Sequence, residues 1–339
     1  MKILVTGGTG YIGSHTLVEL VAAGYEAVVI DDLSNSQRES LTRVEEITGA
    51  KFPFYGGDVR DKVLLEKIFR EHEIDAVIHF AGLKAVGESV TNPLRYYDVN
   101  VGSSVALLEC MKDAGVRKIV FSSSATVYGD PEELPLRERS RAGVGLANPY
   151  GRTKWMIEEI LCDLAFSDNS WKIIALRYFN PVGAHESGKI GEEPNGIPNN
   201  LFPYLVRVAS GRLPKLRVFG GNYDTPDGSG VRDYLHVTDL ARGHVSALDH
   251  LEKTVGMEIF NLGTGKGTSV LEAIHIFEKA TGKKVPYEIA PRRPGDVASC
   301  YAEVSLAKEV LGWQATHSLE EACRDMWKFE SRLTKNAEN

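Results

Sequence analysis

Three side chains in this sequence have the types and spacing for acid–base chemistry on a hydroxyl. Tyr150 and Lys154 stand at i and i+4 in Asn148-Pro149-Tyr150-Gly151-Arg152-Thr153-Lys154, and Ser124 closes the triplet Ser122-Ser123-Ser124 upstream. Pro149 suits the first turn of a helix, where its missing N–H has no intrahelical partner anyway. Trp155, Ile157, Ile160 and Leu161 continue a helical pattern. On that helix Tyr150 and Lys154 share one face, a turn apart. A phenol titrates near ~10, too high for a base at neutral pH. A positive charge about 5 Å away, at an effective dielectric of about 20, favours the phenolate by roughly 3 kcal/mol, or about two pKa units. A second cation, such as an oxidised nicotinamide ring, brings it close to neutrality. Ser124 is then placed to hydrogen-bond the hydroxyl that Tyr150 deprotonates. A Tyr and a Lys at this spacing also occur on exposed helices with no chemistry, so the surrounding elements decide.

Those elements begin at the N-terminus. The strand-like Lys2–Thr6 runs into Gly7-Gly8-Thr9-Gly10-Tyr11-Ile12-Gly13-Ser14, a helical pattern follows (Leu17, Val18, Leu20, Val21), and a second strand, Ala27–Ile30, ends at Asp31-Asp32. Glycines at 7, 10 and 13 allow a tight turn, a close backbone approach to a pyrophosphate, and tight helix–sheet packing. The helix N-terminus adds free N–H groups and a positive dipole end. With a strand before it, a helix after it and an acid about 20 residues on, the glycine pattern is a dinucleotide-binding start. Asp31 can accept from both ribose hydroxyls and repels a 2′-phosphate, which predicts NAD over NADP. A P-loop is excluded, since no Gly-Lys-Ser/Thr follows.

The alternation continues through Phe52–Tyr55 into Gly57-Asp58-Val59, a helix over Leu64–Phe69, Ala76–Phe80 into Ala81-Gly82-Leu83-Lys84, a long helix from Pro93 toward Met111, Lys118–Phe121 into the serine triplet, and Trp171–Leu176. Near-continuous apolar strands between helices predict a parallel sheet covered on both faces. Ligands sit at the carboxyl ends of such strands. That rule gathers Gly7–Gly13, Asp31, Asp58, Phe80–Lys84 and Ser124 along one edge. His79, inside an apolar strand, reads as a satisfied core histidine. No G-x-S-x-G elbow accompanies the serines, which argues against a Ser/His/Asp hydrolase.

Beyond Val182 the pattern loosens. Glu186–Asn200 and Gly228–Tyr234 read as loops, with a helix over Leu201–Ser210, a strand near Leu216–Gly220, and helix–strand–helix over Leu240–Leu251, Ile259–Leu262 and Val270–Ala280. Gly263–Thr268 reads as a turn before a helix. Arg232 and Arg293 fall in loop-like sequence, where a basic pair can clamp a diphosphate or stay solvated. The expected fold is α/β: a Rossmann-type doubly wound parallel sheet with a smaller mixed α/β C-terminal substrate domain. The expected division is 1–180 for the nucleotide and 181–339 for the substrate, with some interleaving of segments. The last residues, from Lys335, read as a frayed tail.

Composition narrows the classes. At 339 residues the chain can bury a large core. A formal charge of -7 gives no sign of binding to nucleic acid or an anionic membrane, so an anionic ligand must be held by local arginines and backbone amides. No apolar run is long enough to span a bilayer or form a signal-peptide core. Four scattered cysteines without a C-x-x-C pair suit reduced thiols in the cytoplasm. Nine histidines without H-x-x-x-H or H-E-x-x-H spacing predict no metal site.

With Gly7–Gly13, Asp31, Ser124 and Tyr150/Lys154 in order, the chain resembles the extended short-chain dehydrogenases/reductases. Within them it resembles the UDP-glucose (UDP-galactose) 4-epimerase family almost end to end. The specific stretches are His79–Val90, Phe121–Gly129, Leu176–His185, Gly196–Leu201 and Gly230–His236. The resemblance implies NAD, tightly bound and regenerated each cycle, held by Gly7, Gly10, Tyr11, Ile12, Gly13, Asp31, Asn35, Ser36, Asp58, Val59, Phe80, Lys84, Ser124, Tyr150, Lys154 and Tyr178. Val99 stands where some relatives have Asn, which shifts that contact to Asn100. It also implies a UDP-sugar held by Lys84, Ser124, Ala125, Thr126, Tyr150, Asn180, Asn199, Asn200, Leu201, Arg217, Val218, Phe219, Arg232, Arg293, Asp296 and Cys300. The implied reaction is C4 epimerisation of UDP-galactose and UDP-glucose through a 4-keto sugar, in galactose metabolism, with Tyr150, Lys154 and Ser124 catalytic. A small residue at Cys300 implies room for a 2-N-acetyl group, and the helices after Pro93 and Pro149 imply a homodimer. A sugar-nucleotide dehydratase needs an acid pair where Ala125 and Thr126 stand.

Overall fold

Apolar side chains alternate on successive residues of seven strands, and each alternation buries both sides of one sheet. The computed structural model describes residues 1–293 and 295–338. Its central strands are β1 (Lys2–Thr6), β2 (Glu26–Asp31), β3 (Phe54–Gly56), β4 (Ala76–His79), β5 (Lys118–Ser124), β6 (Lys172–Tyr178) and β7 (Gly256–Leu262). They pair in parallel in the order β3-β2-β1-β4-β5-β6-β7. Ile3, Val5, Val29, Ile78, Val120, Ile174 and Leu176 pack on one face. Leu4, Val28, Ile30, Val77, Ile119, Phe121 and Ile173 pack on the other. Each such side chain contributes about 1.5–3 kcal/mol by leaving water. The strand order reverses between β1 and β4, which opens a crevice at their carboxyl ends.

The seventh strand comes from the second half of the sequence. β7 pairs with β6 along its whole length, from Gly256 opposite Lys172 to Leu262 opposite Tyr178. The Val237–His250 helix before it packs on the Tyr11–Ala22 helix. The remaining C-terminal elements form the smaller mixed layer. In it the helices Leu201–Ala209, Val270–Thr281 and Leu319–Glu338 share a core with strand Leu216–Phe219. The closing helix runs through residues expected to fray, and Asn339 lies outside the described residues.

One strand runs longer than expected, and two local expectations are corrected. β5 continues past Phe121: Ser122, Ser123 and Ser124 complete it opposite Leu176, Arg177 and Tyr178. Their hydroxyls are satisfied inside the protein, so polarity did not end the strand. The long helix after Pro93 is interrupted by a π-helical stretch, Tyr97–Val101, before Gly102–Asp113. A separate short helix, Val86–Thr91, precedes it. The Gly228–Tyr234 stretch contains strand Val231–Arg232, between Thr268–Ser269 and Ser299–Cys300. Asp233 beside it is fully buried and accepts from the backbones of Thr264, Gly265 and Ala302, which is why an acid can sit there.

Candidate active site

Asn148 caps the helix Pro149–Ser167 by accepting from the Gly151 N–H at 2.9 Å, and this fixes where Tyr150 and Lys154 point. Gly151 lets the helix approach Thr126 closely: a Cβ on it would lie 3.1 Å from the Thr126 carbonyl oxygen, a tight contact that would push the two segments apart by a few tenths of an ångström. Tyr150, Lys154 and Ser124 are all buried at the carboxyl end of β5. Ser124 accepts from the Thr126 N–H at 3.2 Å and from the Thr126 hydroxyl at 2.9 Å. Lys154 Nζ donates to the Ser122 carbonyl at 2.6 Å and lies over the Phe121 ring.

The electrostatics correct the sequence expectation. Burial pushes the Tyr150 phenol above its ordinary range, and the hydrogen bond with Ser124 pulls the other way. Lys154 is not among the groups acting on it. Burial also lowers the Lys154 ammonium to about 8, with Glu158 opposing. Desolvation therefore outweighs the Lys–Tyr attraction in the protein alone.

Beneath this set the first crossover forms a cradle. Gly7 has φ +71°, and a Cβ on it would lie 2.9 Å from the Ala81 nitrogen. A Cβ on Gly13 would lie 2.3 Å from the Gly7 carbonyl oxygen. The Tyr11–Ala22 helix has no side chain capping its N-terminus, so its first N–H groups remain free for an anion. Asp31, at the end of β2, accepts from the Thr9 N–H (3.1 Å), the Leu33 N–H (2.9 Å) and the Ser36 hydroxyl (2.9 Å). Asn35 stands exposed in the same loop, and Asp58 pairs with Arg60 beyond β3. Val59 and Ile12 turn their side chains into the core, leaving only backbone toward the crevice. The Phe80 ring packs on His244, 4.7 Å between centroids. Tyr178 bonds Ser122 through its hydroxyl. The Asn100 amide accepts from the Leu83 N–H and donates to the Leu83 carbonyl and the Thr153 hydroxyl, so it fixes the Gly82–Lys84 loop.

The residues expected to hold a sugar nucleotide fall in four places. Arg217 and Arg293 both lie over the Phe219 ring, at 5.4 and 4.7 Å, and Arg293 pairs with Asp296 at 2.9 Å. Val218 between them is buried in the core, because a strand alternates its faces. Cys300 sits opposite Arg232 in paired strands and packs against the cluster that holds Ala125 and Phe179. Arg232 is not in a loop; it donates to the Val231 carbonyl at 2.8 Å. Asn200 stands at the uncapped start of the Leu201–Ala209 helix, with Asn199 exposed before it. Asn180 opens a short strand paired with Tyr234–His236.

Residues 3–263 match the family described as NAD dependent epimerase/dehydratase. The chain belongs to that family. A UDP-glucose 4-epimerase of Bacillus subtilis is 58% identical over 98% of this chain and 97% of its own. The human UDP-glucose 4-epimerase is 55% identical over 98% and 97%. A crystal structure of UDP-glucose 4-epimerase from Bifidobacterium longum in complex with NAD+ and UDP superposes with a TM-score of 0.96, at 53% identity over 98% of each chain. The family enzyme is thus an epimerase on a Rossmann-type sheet, and the glycine cradle with its uncapped helix fits the family's NAD.

Two acids of this family member were not anticipated as site residues. Glu192 accepts from Lys84 Nζ at 2.7 Å and from Asn200 Nδ2 at 3.4 Å, joining a nucleotide-side and a sugar-side residue. Nothing in the sequence pairs positions so far apart. Glu158 lies buried one turn beyond Lys154, bound to Arg177 and Ser123. Its spacing from Lys154 was visible, but its partners on β5 and β6 were not.

Proposed function

We propose that this chain interconverts UDP-galactose and UDP-glucose by oxidising C4 to a 4-keto sugar and reducing it from the opposite face, as a step of galactose metabolism. The observation that supports this best is the buried Tyr150–Ser124 pair at the carboxyl end of β5, with Lys154 one turn on and the glycine cradle beside it. Tyr150 takes the proton from the 4-hydroxyl and returns it after the sugar has turned. Ser124 hydrogen-bonds the same oxygen and keeps the sugar aligned. Lys154 binds the cofactor ribose. NAD, when bound, supplies the hydride acceptor and donor, and it stays with the protein because the reaction has no net oxidation. The crevice holds it through the backbone at Gly7–Gly13 and through Asp31, whose charge rejects a 2′-phosphate. The Leu201–Ala209 helix start, Arg232 and Arg293 neutralise the diphosphate. Arg217, Phe219 and Asp296 frame the base.

Incubation of the purified protein with UDP-galactose, followed by product analysis, tests this. UDP-glucose formed without added NAD is the expected result; a 4-keto-6-deoxy product or unchanged substrate overturns it.

Cys300 supports a wider substrate range. It is small, half-buried and next to Ala125, where a bulky side chain would fill the space of a 2-N-acetyl group. UDP-N-acetylgalactosamine and UDP-N-acetylglucosamine are therefore substrates in this proposal. The chain is also proposed to be a cytoplasmic homodimer. Leu94 (82% exposed) and Val90 (59%) stand near Pro93, and Met156 is exposed on the Pro149–Ser167 helix. A monomer by light scattering at micromolar concentration refutes the dimer. The four cysteines are free, as suits a reducing compartment.

A further inference from the structure

We propose that Glu158 is a positioning residue of this site: a buried carboxylate below Lys154 that clamps the catalytic helix to β5 and β6 and keeps Lys154 in its ammonium form. The inference rests on the roles proposed for Tyr150 and Lys154. Glu158 is 2% exposed and follows Lys154 by one helical turn, on the same buried face. Its carboxylate is fully engaged. Arg177 of β6 donates from Nε to Oε1 at 3.0 Å and to Oε2 at 3.2 Å, and from Nη2 to Oε2 at 2.5 Å. Ser123 of β5 donates its hydroxyl to Oε1. Ser123 lies between Ser122, whose carbonyl receives Lys154, and Ser124, whose hydroxyl acts on the Tyr150 phenol. One carboxylate therefore locks the strand register that presents both neighbours to the reaction.

The charge has a second consequence. Arg177 and Lys154 are both buried cations, and Glu158 is the carboxylate bonded to the first and one turn from the second. Around Arg177 stand the Tyr128 ring at 4.8 Å, the Trp155 ring at 6.0 Å and the Glu138 carbonyl at 3.1 Å. The Glu138 carboxyl accepts from the Asn261 N–H instead. Around Lys154 stand Tyr150 on its own helix, Phe121 and the Ser122 carbonyl on β5, and His79 on β4. His79 is held neutral by burial and bonded to Thr6 and Ser104. Among these, Glu158 supplies the negative charge that opposes loss of the Lys154 proton. A merely structural ion pair would stabilise the fold without touching the titration of the site.

The test separates the two. In Glu158→Gln, the alkaline limb of the kcat–pH profile moves about one pH unit toward acid, and kcat at neutral pH falls about tenfold while KM changes less than about twofold. Glu158→Asp keeps the charge and returns the limb toward the parent. If Glu158→Gln does not fold, Glu158→Gln/Arg177→Met removes both buried charges together and the same limb is read there. A readout independent of turnover is the double-mutant cycle with Lys154→Met in chemical unfolding. Glu158→Gln lowers the folding equilibrium constant at least about tenfold more in the parent than in the Lys154→Met background. An unmoved alkaline limb, or equal losses in both backgrounds, overturns the proposal. If the parent does not epimerise UDP-galactose, the functional proposal falls, and the unfolding cycle still decides whether Glu158 holds the charge of Lys154.

Discussion

Lys154 donates its ammonium to the Ser122 carbonyl oxygen at 2.6 Å, inside a space closed to solvent. Burial lowers its pKa from an ordinary 10.5 to about 8. Between those values the unfolded chain binds more protons than the folded one, so stability rises with pH across that window. Below about 8 the desolvation penalty is present in full. Lys154→Met should therefore unfold at higher urea concentration at pH 7, by on the order of 1–2 kcal/mol after the lost hydrogen bond is counted, while activity falls about 10²-fold or more. A variant less stable than the parent at pH 7 would contradict the burial of a charged lysine.

Tyr150→Phe removes one oxygen and leaves the packing of the ring. Turnover should fall about 10²–10⁴-fold, and UDP-sugar affinity by calorimetry should stay within about threefold. Activity kept in this variant moves the proton transfer to another group.

Asp31, at the end of β2, accepts from Thr9, Leu33 and Ser36, which leaves about one of its roughly four lone-pair sites open. Protein stripped of nucleotide should be reactivated by NAD and at least about tenfold less well by NADP. Asp31→Asn should narrow that ratio. Equal reactivation of the parent by both nucleotides would remove Asp31 from cofactor choice.

His15, His79 and His244 are buried and neutral. Burial lowers them to about 3, 3 and 4, and the chain bonds each through Nδ1, to the Tyr11 carbonyl, the Thr6 hydroxyl and the Leu240 carbonyl. Unfolding lets all three protonate below about 6.5, so stability present at neutral pH is lost as pH falls through the interval from about 6.5 to about 4. Near pH 5 these three groups alone make unfolding free energy fall by about 4 kcal/mol per pH unit. Urea titrations at half-unit steps from pH 6.5 to 5 measure the slope. A flat profile would show that the imidazoles are already charged in the folded chain.

Cys300→Tyr places a ring against Ala125 and Phe179. Turnover of UDP-N-acetylgalactosamine should drop at least about tenfold relative to UDP-galactose. An unchanged ratio would leave the acetyl group somewhere else in the crevice.

Much of the fold was legible because its signals are local. Six apolar strand segments, the glycine turn and the proline at the head of the Pro149–Ser167 helix each depend on neighbours within a few residues, and the structure forms them there, whereas no local signal places the seventh strand, β7, beside β6. The extension of β5 through the serine triplet was not legible, since the partners that satisfy those hydroxyls lie on a helix and on β6. The bonds of Asn100 to Leu83 and Thr153 were hidden for the same reason, because pairing across the fold leaves no trace in spacing.

Chain order by itself determined the kinds of chemistry available: a phenol and an amine one turn apart, a serine at a strand end, and a phosphate cradle in front of a helix. Tertiary structure decided their energies. How far burial lowers Lys154 depends on the strands that pack over its helix, and Glu158, one turn along that helix, is held by Arg177 of β6. Desolvation is a property of the assembled interior and not of any segment, so the expected depression of the Tyr150 pKa left out the larger force, the burial of the phenol.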